Sequence, residues 1–137
     1  MGSAFSYFYE MKSGVRQGGV LSPFLFAISI DDLVKLIKTA NIGCKTGGGC
    51  TSIFLYVDDT ILLAPSAQAL QSLVNICELE QKLLDMAINA SKSACIRFGP
   101  CRYKSTCANV TVSGLKINCV SYHRYLEVSW RLLGNFV

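Results

Sequence analysis

The spacing of apolar residues along the chain predicts two helices separated by short strands. Ser22 as N-cap and Pro23 as first helical residue predict a helix start, and this first helix should run from Pro23 to about Thr39. Its early part is apolar on nearly every side, so we expect it to be buried. Pro65-Ser66 opens a second helix that should reach about Ile88. Its inward candidates are Leu70, Leu73, Val74, Cys77, Leu84 and Met86.

Runs of aromatic and β-branched residues predict several short strands between and after the helices. Residues 4–9 predict one strand, and the glycines at 47–49 predict a turn before a hairpin of residues 51–64. Residues 94–98 predict a further strand, and residues 109–128 predict two or three more. The interleaved elements predict an α+β fold, in which two helices pack on one antiparallel sheet.

The motif Tyr56-Val57-Asp58-Asp59 places two adjacent carboxylates inside an apolar run. Burying two charges is costly unless something compensates them, and a divalent cation such as Mg²⁺ binds carboxylate oxygens. A hairpin whose acidic tip points into a site would satisfy this requirement. The alternative is an Asp-Asp turn whose carboxylates face water, because Asp is a common turn residue.

A glycine-rich segment, residues 14–19, precedes the first helix. Glycine lets a backbone approach a ligand closely, and a helix N-terminus attracts phosphate. Arg16 adds a planar group that can grip phosphate or stack on a base. A plain glycine-rich loop would show the same spacing, so this segment alone leaves both interpretations open.

Four segments in order resemble the reverse transcriptases of non-LTR (LINE-type) retrotransposons. GVRQGGVLSPFLF is similar to their motif B, and FLYVDDTILLAPS is similar to motif C, a variant of the Tyr-X-Asp-Asp box. Residues 89–98 resemble motif D, and residues 121–128 resemble the hairpin that leads from the palm into the thumb. The resemblance covers roughly residues 12–128. It implies that residues 1–128 are a partial polymerase palm without fingers and first catalytic motif, with residues 129–137 as an unassigned tail.

The resemblance implies a two-metal polymerase in which a primer 3′-hydroxyl attacks an α-phosphate. Asp58 and Asp59 would be the catalytic carboxylates and metal ligands, with Mg²⁺, or alternatively Mn²⁺, as cofactor. Lys92 would approach the phosphates of the incoming nucleotide and protonate the leaving pyrophosphate. The implied partners are an RNA template, a DNA primer and deoxynucleoside triphosphates.

The same resemblance assigns residues that would contact the nucleic acid. Tyr56 and Val57 would lie against the primer end, and Tyr125 and Leu126 would belong to the primer grip. The residues that would pack near the nascent base pair and template are Arg16, Gln17, Gly18 and Gly19.

One part of the family pattern is missing from this sequence. The first palm motif of the family carries a further metal-binding Asp, but the residues before Gly14 contain no Asp and only one acid, Glu10. We therefore expect the chain to need an upstream polymerase segment and to be inactive alone. The alternative is a catalytically inactive retrotransposon remnant, at most a weak nucleic-acid binder. Glu127 also replaces a glycine of the family hairpin, which would strain a turn that needs positive φ.

Composition and charge narrow the class of protein. The chain of 137 residues is 51% hydrophobic and 16% charged, with a net charge of +4, which permits nucleic-acid contact. No apolar run is long enough to cross a membrane and no secretory signal is visible, so no membrane partner is expected. The seven cysteines contain no CxxC pair. We expect free thiols in a reducing compartment, and hence an intracellular location in the cytoplasm or nucleus.

Overall fold

The computed structural model describes residues 18–98, 109–126 and 128–131. Two helices, α1 (Ser22–Ala40) and α2 (Ala67–Leu83), account for most of the regular structure. The strands before α2 are β1 (Cys44–Thr46), β2 (Gly49–Thr51), β3 (Ile53–Tyr56) and β4 (Asp59–Leu62). Those after it are β5 (Ala94–Cys95), β6 (Thr111–Val112), β7 (Leu115–Lys116), β8 (Asn118–Cys119), β9 (Tyr122–Tyr125) and β10 (Val128–Arg131). The strand predicted at residues 4–9 lies outside the described residues.

Helix α1 occupies the predicted range but does not begin with the predicted cap. The N-cap residue is Leu21 and no side chain caps the helix, so the assignment of Ser22 as N-cap is wrong. Pro23 lies in the first turn, where a missing N–H costs nothing. The helix ends at Asn41, whose left-handed backbone (φ 51°) lets its N–H donate to the Lys38 carbonyl.

The buried side of α1 lies in its second half. Ile30, Leu33 and Ile37 recur at helical spacing and are buried against α2. The first half is instead open to solvent, with Phe24 64% and Ile28 56% exposed, so the expectation of a buried early part is wrong. Among the described residues, Phe26 is the one apolar residue of the first two turns that packs on the α1–α2 cluster, so the other sides of these turns stay open to solvent.

Helix α2 starts as predicted and stops earlier than predicted. Ser66 accepts a hydrogen bond from the Ala69 N–H at 3.2 Å, which is the expected N-cap. At the other end Asp85 is left-handed (φ 57°), while the Met86 N–H donates to the Gln81 carbonyl at 2.8 Å. This is a Schellman closure with Asp in the usual glycine position. Leu84, Asp85 and Met86 consequently lie beyond the helix, and Leu84 is exposed.

The described strands form five two-stranded pairs instead of the single antiparallel sheet that was predicted. The antiparallel pairs are the local hairpins β1–β2, β3–β4, β6–β7 and β9–β10. Strands β5 and β8 pair in parallel, with Ala94 opposite Asn118 and Cys95 opposite Cys119. The architecture is thus α+β, and strand β10 continues into residues expected to belong to the tail.

Two apolar clusters make up the core and share one strand residue. The first joins α1 to α2 through Leu33, Ile37, Leu73 and Cys77. The second packs Val74 of α2 against residues 110–117, including Val110, Val112 and Ile117. Leu62, the last residue of β4, packs against both clusters. The β3–β4 hairpin is therefore fixed where the two clusters meet.

Two further expectations concern cysteines and membranes. Cys44, Cys50, Cys77 and Cys95 are free thiols, as expected. Cys119 is disulfide-bonded, which corrects that expectation for this residue. Neither described helix combines the length and the apolar character that crossing a bilayer requires.

Candidate polymerase site

The acidic motif lies at the tip of the β3–β4 hairpin, as the sequence predicts. Residues directly opposite one another in an antiparallel pair share a face. Ile53 pairs with Leu62, and these residues, together with Leu55, pack on the first cluster. Tyr56 pairs with Asp59 on the opposite face, away from the core. The alternation of side chains thus directs Asp59 outward from the sheet.

The turn at the tip consists of Val57 and Asp58, and it requires an unusual backbone. Val57 has φ 52°, a left-handed conformation that a β-branched residue rarely adopts. Two-residue hairpins need positive φ at this first central position, where glycine is the favoured residue. Such a conformation costs on the order of 1–3 kcal/mol, so favourable interactions in the surrounding hairpin must offset this free energy.

Both carboxylates of the motif are exposed to solvent. No cation is therefore required to offset their burial, and this geometry agrees with the water-facing alternative as well as with a metal site. Their oxygens fit a Mg²⁺ ion that is completed by substrate phosphates, because Mg²⁺ is commonly bound by one or two carboxylates. Among residues 18–98, 109–126 and 128–131, no group of three or more Asp, Glu, His or Cys side chains forms an all-protein metal centre.

The other aspartates of the described segments lie elsewhere. Asp31 and Asp32 are exposed on α1, where both pair with Lys35 at 2.7 and 3.1 Å. Asp85 closes the end of α2. None of these carboxylates belongs to the hairpin tip, in agreement with the sequence interpretation.

Tyr125 is the residue of the predicted primer grip that the structure relates to the acidic tip. Burial raises the pKa of its phenol, and the nearby negative charge of Asp59 raises this pKa further. Tyr125 lies at the end of β9, and the next residue, Leu126, is 44% exposed with φ 47°. Leu126 therefore has positive φ in the β9–β10 hairpin. Glu127 lies outside the described residues, so the strain expected there stays a prediction.

The glycine-rich segment is described only from Gly18 onward. Gly18 is exposed with φ 77°, a conformation in which a side chain would be strained. The Gly19 carbonyl accepts a hydrogen bond from the Ser22 N–H at 3.1 Å, which leads the loop into α1. Arg16 and Gln17 lie outside the described residues, so their predicted contacts remain predictions.

Lys92 lies in an exposed turn between α2 and β5. The turn is organised by Asn89, which the sequence interpretation included in motif D without giving it a role. An Asn two residues before a Ser is a common start of a side-chain-closed turn, and that signal was present in the sequence. The connection from this turn to the acidic tip is indirect, since Ala90 and Leu62 both pack on the second cluster.

Comparison with known proteins gives one family match and two similar retrotransposon proteins. Residues 2–133 match the protein family described as reverse transcriptase (RNA-dependent DNA polymerase). The chain is 33% identical over 79 residues to a retrovirus-related Pol polyprotein from the type-2 retrotransposable element R2DM of Drosophila melanogaster. It is also 33% identical over 87 residues to a retrovirus-related Pol polyprotein from the type-1 retrotransposable element R2 of Popillia japonica.

These matches cover 58% and 63% of this chain but only 7% and 12% of the two relatives. The chain thus corresponds to a small part of the length of the curated relatives it matches. No solved structure matches it.

Proposed function

Because this chain belongs to the reverse transcriptase (RNA-dependent DNA polymerase) family and is similar to Pol polyproteins of retrotransposable elements, we propose that it forms the metal-binding part of a polymerase palm. The observation that supports this proposal is the pair Asp58 and Asp59, exposed at a hairpin tip whose other face is fixed in the core. The substrates would be an RNA template, a DNA primer and deoxynucleoside triphosphates.

The two carboxylates would hold Mg²⁺ or Mn²⁺ together with the phosphates of the incoming nucleotide. When bound, the metal would lower the charge on the reacting phosphate and activate the primer hydroxyl. Asp58 would bind the metal from the turn itself. Asp59 would share this task on the outer face of the hairpin. An additional Asp from the upstream polymerase segment would complete a two-metal arrangement.

The neighbouring residues would position the nucleic acid. Tyr56 is 58% exposed on the same face as Asp59 and offers an aromatic surface to the primer end, with Val57 beside it in the turn. Tyr125 and Leu126 would hold the primer from the second hairpin. Gly18 and Gly19, with Arg16 and Gln17, would lie near the template and nascent base pair.

Lys92 would contribute a proton to the leaving pyrophosphate. Its ammonium group carries three donors on a flexible stem, which suits contact with a phosphate whose position changes during reaction. Lys92 is exposed, so an incoming nucleotide can reach it.

Primer extension on an RNA template with Mg²⁺ or Mn²⁺ tests this function. We expect a polymerase that carries these residues together with the upstream palm segment to extend the primer, and Asp58→Asn to abolish extension. The matched control is Asp85→Asn, which makes the same chemical change at the end of α2 and should retain activity. Extension by the 137-residue chain alone would contradict the requirement for a further carboxylate.

Metal binding can be measured on the chain itself. Paramagnetic Mn²⁺ should broaden the amide signals of residues 56–60, and Asp58→Asn should remove that broadening while Asp85→Asn leaves it intact. A longer polymerase that folds, yet shows neither Mn²⁺ binding at the tip nor extension, would identify the segment as a catalytically inactive remnant.

A further inference from the structure

We propose that Asn89 is the positioning residue for Lys92 and that it fixes the turn from which Lys92 reaches the pyrophosphate portion of the nucleotide. This inference rests on the role proposed above for Lys92. It assigns a task to a side chain that lies three residues earlier and would not itself touch the substrate.

The side chain of Asn89 closes the turn through a single oxygen. Asn89 Oδ1 accepts hydrogen bonds from the Ser91 N–H at 3.1 Å and from the Ser91 hydroxyl at 2.7 Å. The same oxygen accepts from the Lys92 N–H at 3.2 Å. The Lys92 backbone is therefore held directly by the side chain of Asn89.

The main chain of Asn89 completes the closure. Its carbonyl oxygen accepts hydrogen bonds from the Lys92 N–H at 3.2 Å and the Ser93 N–H at 3.1 Å. It also accepts from the Ser93 hydroxyl at 2.9 Å. The residues on both sides of Lys92 are thus tied to the same residue, which leaves the turn few alternative conformations.

Both ends of the turn are fixed to the second apolar cluster. Ile88 and Ala90 pack against it on one side, and Cys95 packs against it on the other. The Cys95 carbonyl also accepts a hydrogen bond from the Val120 N–H at 2.9 Å. Leu62, at the end of the acidic hairpin away from its tip, packs on the same cluster, so the turn that carries Lys92 and the hairpin both rest on this cluster.

A fixed backbone matters more for Lys92 than for a buried residue. Its side chain is exposed, so packing against the described residues does little to fix where the ammonium group lies. Binding a phosphate group therefore costs the conformational entropy of the lysine side chain, and a mobile backbone would lose further entropy on binding. The oxygen of Asn89 removes the backbone part of this cost before the ligand arrives.

Closing the turn requires a side-chain hydrogen-bond acceptor at position 89 that reaches the N–H groups of Ser91 and Lys92. Alanine supplies none. Serine supplies a hydroxyl that closes the same kind of turn more weakly, which makes Asn89→Ser the conservative variant. Asn109→Ala is a matched control, because Asn109 is exposed and its side chain has no part in this turn.

Titration of the folded chain with inorganic pyrophosphate, followed by the amide signals of residues 89–95, tests the proposal. We expect Lys92→Ala to raise the dissociation constant about tenfold, as for the loss of one charge-assisted hydrogen bond. Asn89→Ala should raise it several-fold, Asn89→Ser should recover part of the loss, and Asn109→Ala should leave it unchanged. The double variant Asn89→Ala/Lys92→Ala should bind no more weakly than Lys92→Ala, because Asn89 acts only through Lys92.

The outcomes separate the inference from the function on which it rests. If Lys92→Ala weakens binding but Asn89→Ala does not, Asn89 is not a positioning residue and the role of Lys92 stands. If Lys92→Ala has no effect, the phosphate role of Lys92 and the inference both fail. A purely structural role for Asn89 would lower the free energy of unfolding and leave the affinity of the folded chain unchanged. Should Asn89→Ala fail to fold, an unchanged affinity in Asn89→Ser, despite faster hydrogen exchange at the Lys92 N–H, would overturn the proposal.

Discussion

The side-chain amide of Gln71 forms paired hydrogen bonds with both main-chain groups of Thr111. Gln71 Nε2 donates to the Thr111 carbonyl at 3.0 Å, and the Thr111 N–H donates to Gln71 Oε1 at 2.8 Å. Two turns further along α2, the Glu78 carboxylate accepts hydrogen bonds from the Ser113 N–H and hydroxyl. Gln71 and Glu78 of α2 thus hold the β6–β7 hairpin, whose strands and flanking residues supply Val110, Val112 and Ile117 to the second apolar cluster.

Replacing Gln71 should loosen this attachment. We expect Gln71→Ala to lower the free energy of unfolding by about 1–3 kcal/mol, because it leaves two main-chain groups of Thr111 without their partner. Urea unfolding followed by circular dichroism measures the change. Gln68→Ala, an exposed glutamine one turn earlier on α2, is the matched control and should change the stability by no more than about 0.5 kcal/mol. Equal effects of the two variants would contradict the pairing.

The relation between Tyr125 and Asp59 predicts a shift in a titration. Asp59→Asn removes the negative charge that helps to hold the pKa of the Tyr125 phenol above its ordinary value of 10.0, so the pKa should fall. It should remain somewhat raised, because burial is the larger cause. Nuclear magnetic resonance of the Tyr125 ring carbon over an alkaline pH series gives the value. Asp58→Asn should leave the pKa of Tyr125 unchanged. A shift of similar size in Asp58→Asn would contradict the assignment to Asp59.

The backbone of Val57 predicts that glycine is more stable at this position. Val57→Gly relieves the left-handed strain while adding the entropy of a glycine in the unfolded chain, so we expect a net gain of about 1 kcal/mol. Thr60→Gly, in the adjoining strand, has no strain to relieve and should cost about 0.5–1 kcal/mol. Thermal or urea unfolding distinguishes the two. A loss of stability in Val57→Gly equal to that in Thr60→Gly would show that Val57 is not strained.

Cys77 should be the least reactive of the free thiols in the described part of the chain. Burial, followed by the charge of Glu78, raises the pKa of Cys77 from 9.0 to about 11, so the thiolate that reacts is suppressed about a hundredfold near pH 8. We expect iodoacetamide to label half-buried Cys44 in the native chain and to label Cys77 only in urea. The folded state favours the protonated thiol. The free energy of unfolding should therefore be unaffected by this group below pH 9 and should fall as the pH rises from 9 towards 11. Native labelling of Cys77 at the rate of Cys44 would contradict its burial.

Local patterns in the sequence predicted the elements that depend on neighbouring residues. The β3–β4 hairpin follows from the apolar run on both sides of Asp58 and Asp59, and the start of α2 follows from Ser66. The end of α2 was missed because Asp85 takes the left-handed position that glycine usually marks. A carboxylate gives no sign in the sequence that its backbone will stop a helix.

Other features of the fold and the site depend on contacts between segments that are distant in sequence, so local sequence patterns do not predict them. The exposure of Phe24 and Ile28 is decided by which elements reach α1, since their apolar character alone predicted burial. The relation of Tyr125 to Asp59 joins two hairpins far apart in sequence. The roles of the site residues came from the family resemblance, because spacing alone left a water-facing turn equally open.

The parallel pairing of β5 with β8 has a consequence for the order of folding. The hairpins β1–β2, β3–β4, β6–β7 and β9–β10 join neighbouring strands, and such units form within microseconds. Ala94 and Asn118 can pair only after the chain between them has closed into a loop. Loop closure lowers the conformational entropy of the chain before the pairing contacts form. We therefore expect the acidic hairpin to form early, and the surroundings of Lys92 to reach their native arrangement in a later, slower step.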